Sequence, residues 1–347
     1  MQNDQLPLNI AILGATGRVG QELISVLESR NFPLGKLYPL ASKRSANSKV
    51  SFKGKEYTVT EPSEEIFKDV DIVLASAGAG VSKEWASTIV KCGAVIIDNS
   101  SAFRMDPAVP LVVPEVNGDA LKQHRGIVAN PNCSTSQLVV VLKIIHELAG
   151  LKRVVVSTYQ SVSGGGKEAM DELEEQSRQL LNGGEAEARV MPRQIAFNLI
   201  PQIDVFTEDG YTKEEVKVIE ETRKILQLPD LKITCTAVRV PVVIGHSESV
   251  TLDLEKSVSP HQVRESLANS DIVEIWDDPD QGHYPTPLDC AGLDPVYVGR
   301  IRKDTSSDCG INLWVVADNL RIGAALNAVR IAEYMVEHEL LRKPVST

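Results

Sequence analysis

The sequence predicts a two-domain α/β protein: a doubly wound parallel-sheet domain, then an α+β domain rich in strands. Three observations carry this expectation. The chain has 347 residues, more than one core usually serves, since single cores stop growing near roughly 250–300 residues. Its first third alternates short apolar runs with helical patterns, the mark of parallel strands joined by crossover helices. Beyond residue 150 the strand candidates lengthen and are separated by polar loops.

Leu8–Leu13 reads as a buried strand running into Gly14-Ala15-Thr16-Gly17-Arg18-Val19-Gly20. Val19, Leu23, Ile24 and Leu27 then recur at helical spacing. Strand, glycine turn and helix form the context of a dinucleotide site. Gly14 and Gly17 permit close approach of a pyrophosphate to the helix N-terminus, and Gly20 lets that helix pack on the sheet. The pattern is thus a Rossmann-type one, spaced GxxGxxG. The second strand, Leu37–Ala41, ends in Ser42-Lys43-Arg44-Ser45 rather than in a carboxylate. NAD sites usually place an acid there for the ribose 2′-hydroxyl; cations and hydroxyls suit a 2′-phosphate, so NADP is expected. Strands follow at Val70–Ala75 and Ala94–Asp98, with a helix from Val81 to Lys91 between them. Ser76-Ala77 and the Asn99–Arg104 segment lie just past strand ends, where open α/β sheets bind ligands, so Arg104 is an anion-site candidate.

Gly126–Ala129 leads into Asn130-Pro131-Asn132-Cys133-Ser134, and an apolar helical pattern leads out. Cys133 is therefore expected at a helix N-terminus, where unpaired N–H groups and the helix dipole favour a thiolate. A small buried residue at the start of a core helix is the plainer alternative. A strand at Arg153–Gln160 follows, then a flexible glycine loop through Ser163 and Gly164 to Lys167, a helix from Glu168 to Leu181, and a mobile polar segment at 182–189. Glu214 and Lys217 open a further helix on one face. Ile233–Val243 is expected as one long strand with Arg239 inside it, a cation that must find an anion or water. That strand ends at Gly245-His246, a junction suited to a catalytic base, before a strand from Val250 to Leu254. The chain closes with a strand at Ile311–Ala317 and, after Asp318-Asn319, a helix to about Leu341 that packs back on the first domain.

The apolar fraction of 43% supports a sizeable core, and the net charge of −11 argues against a nucleic-acid binder. Five scattered cysteines without CxxC spacing indicate neither a disulfide framework nor a metal site. The opening residues do not resemble a signal peptide, and no apolar run is long enough to span a bilayer, so a cytoplasmic location is expected.

Taken together, Gly14–Gly20, Pro131-Asn132-Cys133-Ser134, Arg239 with Gly245-His246, and Asp318–Gly323 resemble the aspartate-semialdehyde dehydrogenases of bacterial type, over essentially the whole chain. The resemblance implies a glyceraldehyde-3-phosphate-dehydrogenase-like fold, with residues 1–132 completed by 319–347 binding the dinucleotide and 133–318 forming a catalytic and dimerisation domain. It implies NADPH-dependent reduction of L-aspartyl 4-phosphate to aspartate 4-semialdehyde, in lysine, threonine and methionine biosynthesis, through a cysteine thioester and without a metal. Matched residue by residue, Cys133 is the nucleophile, His246 the acid/base and Gln160 an orienting group. Asn132, Arg104, Glu214, Lys217 and Arg239 match substrate-binding positions: Arg239 for the α-carboxylate, Glu214 for the ammonium, Arg104 and Lys217 for the phosphate. Gly14, Thr16, Gly17, Arg18, Val19, Ser42, Arg44, Ser45, Ser76, Ala77, Ser163, Gly164 and Asn319 match cofactor positions. A homodimer is implied, with a tetramer as the alternative. Two other readings are a reductase of another acyl phosphate, such as N-acetyl-glutamyl phosphate, and a non-catalytic NADP-binding regulator. A free α-ammonium calls for Glu214, whereas an N-acetylated nitrogen does not.

Overall fold

A computed structural model describes residues 7–341. The chain forms two compact units, one built from the residues up to Pro131 together with those from Ala324 onward, the other from Asn132–Gly323.

The first unit runs β1 (Leu8–Leu13), α1 (Arg18–Ser29), β2 (Leu34–Leu40), β3 (Lys49–Phe52), β4 (Lys55–Thr58), α2 (Glu64–Phe67), β5 (Ile72–Ala75), α3 (Ala79–Lys91), β6 (Val95–Asp98), α4 (Pro114–Asn117) and β7 (Ile127–Ala129). Five of these strands form a parallel sheet in the order β2-β1-β5-β6-β7. The inner strands β5 and β6 are buried at every position, as expected where helices cover both faces. The small hairpin β3–β4 was not foreseen. Its turn, Lys53-Gly54, has positive φ at both residues, 47° and 72°, and a lysine there gives no turn signal of the Asn-Gly kind.

The second unit runs α5 (Cys133–Ala149), β8 (Leu151–Gln160), α6 (Lys167–Leu181), α7 (Lys213–Leu226), β9 (Lys232–Arg239), β10 (His246–Leu254), α8 (Pro260–Ala268), β11 (Val273–Ile275), α9 (Pro287–Cys290), β12 (Val296–Lys303) and β13 (Gly310–Ala317). A six-stranded mixed sheet has the order β11-β12-β13-β10-β8-β9. β8 and β9 are parallel, whereas β10 lies antiparallel to both β8 and β13. α5 buries polar and apolar residues alike from Ser134 to Leu142, which makes it the central helix of this unit.

Two strand boundaries differ from expectation. β9 stops at Arg239, because Pro241 cannot donate to a ladder and the chain turns away there. β10 begins at His246 itself, so Ser247-Glu248-Ser249 is strand and not junction. Its inner face reads His246, Glu248, Val250, Leu252, and the two polar residues mask the period-two pattern. The glycine loop after β8 is a short 3₁₀ turn, Val162–Gly165, pinned by Val162 N–H to Val242 O (2.9 Å) and Ser163 N–H to Val243 O (3.1 Å). The segment after α6 is irregular, yet the buried Gln176 accepts from Ile195 N–H (2.9 Å) and Ala196 N–H (3.1 Å) through Oε1. The last helix begins as a π turn, Arg321–Ala325, and continues as α10 (Leu326–Glu337), shorter than expected. Asn327 Nδ2 donates to Asn130 Oδ1 (2.6 Å) and Val112 O (2.9 Å), fastening α10 to the first unit's sheet.

Candidate active site

The second unit gathers a buried polar cluster around the start of α5. Asn132 is the N-cap, its Oδ1 accepting from Ser134 N–H (3.0 Å) and Thr135 N–H (3.4 Å). Cys133 is therefore the first helical residue, partly accessible, at the positive end of the dipole. The cap is held in turn by α7. Asn132 Nδ2 donates to Glu214 Oε1 (2.8 Å), and Asn132 N–H donates to Glu221 Oε2 (2.6 Å). On the far side Gly323 touches the nucleophile, since a Cβ there would stand 2.8 Å from Cys133 Cβ.

Glu214 is the hub of the cluster. Its Oε1 also accepts from Gln160 Nε2 (3.0 Å), and its Oε2 accepts from Lys217 Nζ (3.2 Å), which reaches Asp204 Oδ2 as well (2.9 Å). Burial alone would raise its pKa, but Lys217 and the Gln160 and Asn132 donors outweigh it, so Glu214 is ionised. Lys217 is raised, burial being overcome by Glu214 and Asp204.

Sheet register aligns the remaining groups. β8 and β9 end side by side with Gln160 opposite Arg239, and β10 starts beside β8 with Ser247 opposite Tyr159. Arg239 is 7% exposed and donates from Nη1 to Ser161 O (2.7 Å). Burial lowers its pKa, while the charges of Glu214 and Cys133 oppose that shift. A cation that senses both groups is well placed for an anionic substrate.

His246 is fully buried and accepts Ser161 N–H at Nδ1 (3.1 Å). Burial, followed by the nearby Arg239 charge, pushes its pKa down to about 3. The ring is therefore neutral near pH 7, and because Nδ1 accepts, the proton sits on Nε2. Nε2 is buried without a partner. A Cβ on Gly164 would come 3.5 Å from that nitrogen and 3.2 Å from Arg239 Nη1, so the 3₁₀ turn lies directly against both groups. Asn319 Oδ1 accepts from Gly245 N–H (2.9 Å) and from the hydroxyls of Ser161 (3.1 Å) and Ser163 (3.2 Å), tying the turns around His246 together.

The first unit carries the other predicted residues. Gly14 has φ +94°, and a Cβ there would meet Ala77 N at 2.9 Å and Ser76 Oγ at 3.0 Å. Gly20 is tighter, with a Cβ only 2.2 Å from Gly14 O. α1 starts at Arg18 after Gly17, with no side-chain cap and no acid in its first turn. Its N–H groups remain available to phosphate. The turn after β2 presents Ser42, Lys43 and Arg44 to solvent, with Ser45 half-buried, and has no carboxylate. Both features fit an NADP-type ligand. Arg104 is anchored by Nε to Asn130 O (2.9 Å) and by Nη2 to Asn99 O (2.7 Å).

Comparison with known proteins gives the same division. The family profile described as "Semialdehyde dehydrogenase, NAD binding domain" matches residues 9–124, and "Semialdehyde dehydrogenase, dimerisation domain" matches 142–322. The aspartate-semialdehyde dehydrogenase of Aquifex aeolicus is 54% identical over 336 residues, covering 96% of this chain and 99% of that protein. The chain belongs to the aspartate-semialdehyde dehydrogenase family. The Bacillus subtilis relative is 50% identical, again across 96% of this chain and 99% of its own length. The crystal structure of aspartate semialdehyde dehydrogenase II from Vibrio cholerae, complexed with ASA, superposes with a TM-score of 0.94 at 47% identity, covering 96% and 99% of the two chains. A Candida albicans family member solved with NADP gives 0.76 at 26% identity, with the same coverage.

Within this family fold, sequence reasoning missed four polar residues of the cluster: Ser161, Glu221, Gln137 and Glu248. Glu221 had a signal, since 214, 217 and 221 share one helical face. Gln137 had a weaker one, lying one turn beyond Cys133. Among the described residues no group of His, Cys, Asp or Glu is arranged to hold a metal, and no helix is long and apolar enough to cross a membrane.

Proposed function

We propose that this chain reduces L-aspartyl 4-phosphate to L-aspartate 4-semialdehyde with release of phosphate, using NADPH, in the biosynthesis of lysine, threonine and methionine. The observation that carries this reading is the convergence of Cys133, Gln160, Glu214, Arg239 and His246 on one buried cluster within a chain of this family.

The chemistry follows from the groups present. The amide end of α5 and the Arg239 cation stabilise negative charge on Cys133 Sγ, which attacks the acyl carbon. The carbon–oxygen bond to phosphate breaks, leaving a thioester on Cys133. Lys217 and Arg104 are the cations proposed for the phosphate. NADPH, when bound, supplies the hydride that reduces the thioester carbonyl. The resulting tetrahedral oxyanion collapses to the aldehyde and a regenerated thiolate. The departing phosphate takes up one proton from solvent to become hydrogenphosphate, so the reduction consumes one proton overall. The neutral His246 donates its Nε2–H as a hydrogen bond to the oxyanion in both tetrahedral stages. Arg239 grips the substrate carboxylate and the ionised Glu214 its ammonium, with Asn132 and Gln160 orienting the acyl group. The need for an ammonium partner favours aspartyl over N-acetylated substrates.

NADP is preferred through Ser42, Arg44 and Ser45 at the 2′-phosphate, with Gly14, Thr16, Gly17, Arg18 and Val19 cradling the pyrophosphate. Ser76, Ala77, Ser163, Gly164 and Asn319 complete the cofactor contacts by family match. The dimerisation-family unit exposes Phe197, Leu199, Val205 and Phe206, each more than half accessible. A homodimer through this unit would cover them. None of the five cysteines is paired in a disulfide, which suits a cytoplasmic location.

Pure protein given aspartate semialdehyde, NADP and phosphate should form NADPH, followed by its near-ultraviolet absorbance. Absence of phosphate-dependent NADPH formation by folded protein would sink the assignment.

A further inference from the structure

Of the two buried polar residues on the inner face of β10, His246 already has a role and Glu248 has none. Glu248 is fully buried, opposite Thr158 on β8 and Val315 on β13. Neither carboxyl oxygen completes a hydrogen bond. The side chain acting on it is Gln137 of α5, whose own Oε1 is buried without a donor. Gln137 Nε2 already donates to the main-chain oxygen of His246 (3.3 Å).

An ionised carboxylate enclosed this way has only the Gln137 amide to offset its lost hydration, and burial outweighs it, so the group takes up a proton instead. Burial pushes its pKa well above the carboxylate range. The surrounding elements supply no cation: His246 on the same strand is neutral, Thr158 and Val315 are uncharged, Gln137 faces it from α5, and the Cys235 thiol of β9 is itself pushed up by burial. A carboxylic acid is a donor, and Gln137 Oε1 is an acceptor in need of one. Gln137 lies four residues after Cys133, hence on the same face of α5.

We propose that Glu248 is a neutral carboxylic acid that fixes the Gln137 amide, and through it the main chain of His246, in register with Cys133. Glu248 is a positioning residue: it touches no reacting atom but keeps the histidine donor aimed. This inference rests on the reaction proposed above.

Wild-type protein, Glu248→Gln and Glu248→Leu test it by infrared spectroscopy and steady-state kinetics. The wild-type-minus-Glu248→Gln spectrum at neutral pH should contain the C=O stretch of a protonated acid, shifted in heavy water; carboxylate bands in its place overturn the proposal. Glu248→Gln keeps a donor for Gln137 and should retain kcat. Glu248→Leu should lose about 10–100-fold in kcat, as a displaced catalytic group does, with KM and the rate of Cys133 alkylation by iodoacetamide little changed. A wild-type kcat in Glu248→Leu overturns it, as does a collapse of kcat in folded Glu248→Gln. Should Glu248→Leu fail to fold, the spectrum and Glu248→Gln decide the matter. The spectrum needs no substrate, so a missing acid band sinks this proposal, whereas missing turnover sinks only the assigned reaction.

Discussion

Cys133 owes its position to three neighbours that are not themselves reactive: the Asn132 cap, the Glu221 carboxylate behind it and Gly323 against its Cβ. Cys133→Ala should abolish turnover while NADP binding, read by fluorescence titration, is retained; lost folding would return the residue to a packing role. Gly323→Ala places a methyl group into the nucleophile, and overpacking of this kind costs about 1–3 kcal/mol. It should lower both kcat and the melting temperature. Glu221→Ala strips the acceptor from a buried N–H, which costs about 1–3 kcal/mol, and should slow Cys133 alkylation; an unchanged rate would leave Glu221 a role in packing alone. At this scale the sequence was legible where chemistry is local. A cysteine after Asn-Pro-Asn at a helix start announces itself, whereas Glu221 acts from 89 positions away.

α7 shows how one element assembles a site. Its Thr212–Glu215 capping box fixes where the helix begins, so Glu214, Lys217 and Glu221 all face the start of α5. The strand ends do the same for Gln160, Arg239 and His246, because the β8–β9 and β8–β10 registers set their level. The turn after β2 is the matching device in the first unit. Replacing Arg44 with Ala should weaken NADP far more than NAD, and an equal loss for both in binding titrations would refute the 2′-phosphate role. Apolar strands such as β5 and β6 could be read from sequence because burial on both faces leaves a continuous hydrophobic run. β10 could not be read in full, since its inner face opens with histidine and glutamate where the pattern requires apolar residues. β3 and β4 are short, half-exposed and joined by lysine-glycine, and so give almost no periodic signal.

At the scale of the whole molecule, folding is coupled to pH through these buried groups. His246 has its folded pKa depressed to about 3, so the unfolded chain binds the extra proton. The contribution of His246 to stability is therefore lost as pH drops from about 6.5, the ordinary histidine value, toward 3. Glu214, whose pKa is also lowered, adds to the loss as pH falls through the carboxylate range. Glu248, whose pKa is raised, contributes the opposite slope over the same range, so the His246 term is read as a difference. As pH falls from 7 to 4, denaturant midpoints should fall more, or rise less, in wild-type protein than in His246→Asn; an identical slope would mean the imidazole is not held neutral. Exposed Phe206 and Leu199 belong to the same scale. Charged replacements there should halve the mass seen in sedimentation while leaving the fold intact.

The placement of α10 has a consequence for how the protein is made. The first unit needs residues from Ala324 onward, and Asn327 grips Asn130 and Val112 only once α10 exists. On the ribosome its sheet emerges early but waits while residues 132–323 are synthesised, roughly 10–40 s at the usual elongation rates. A chain cut short anywhere in that interval presents an unfinished cofactor unit.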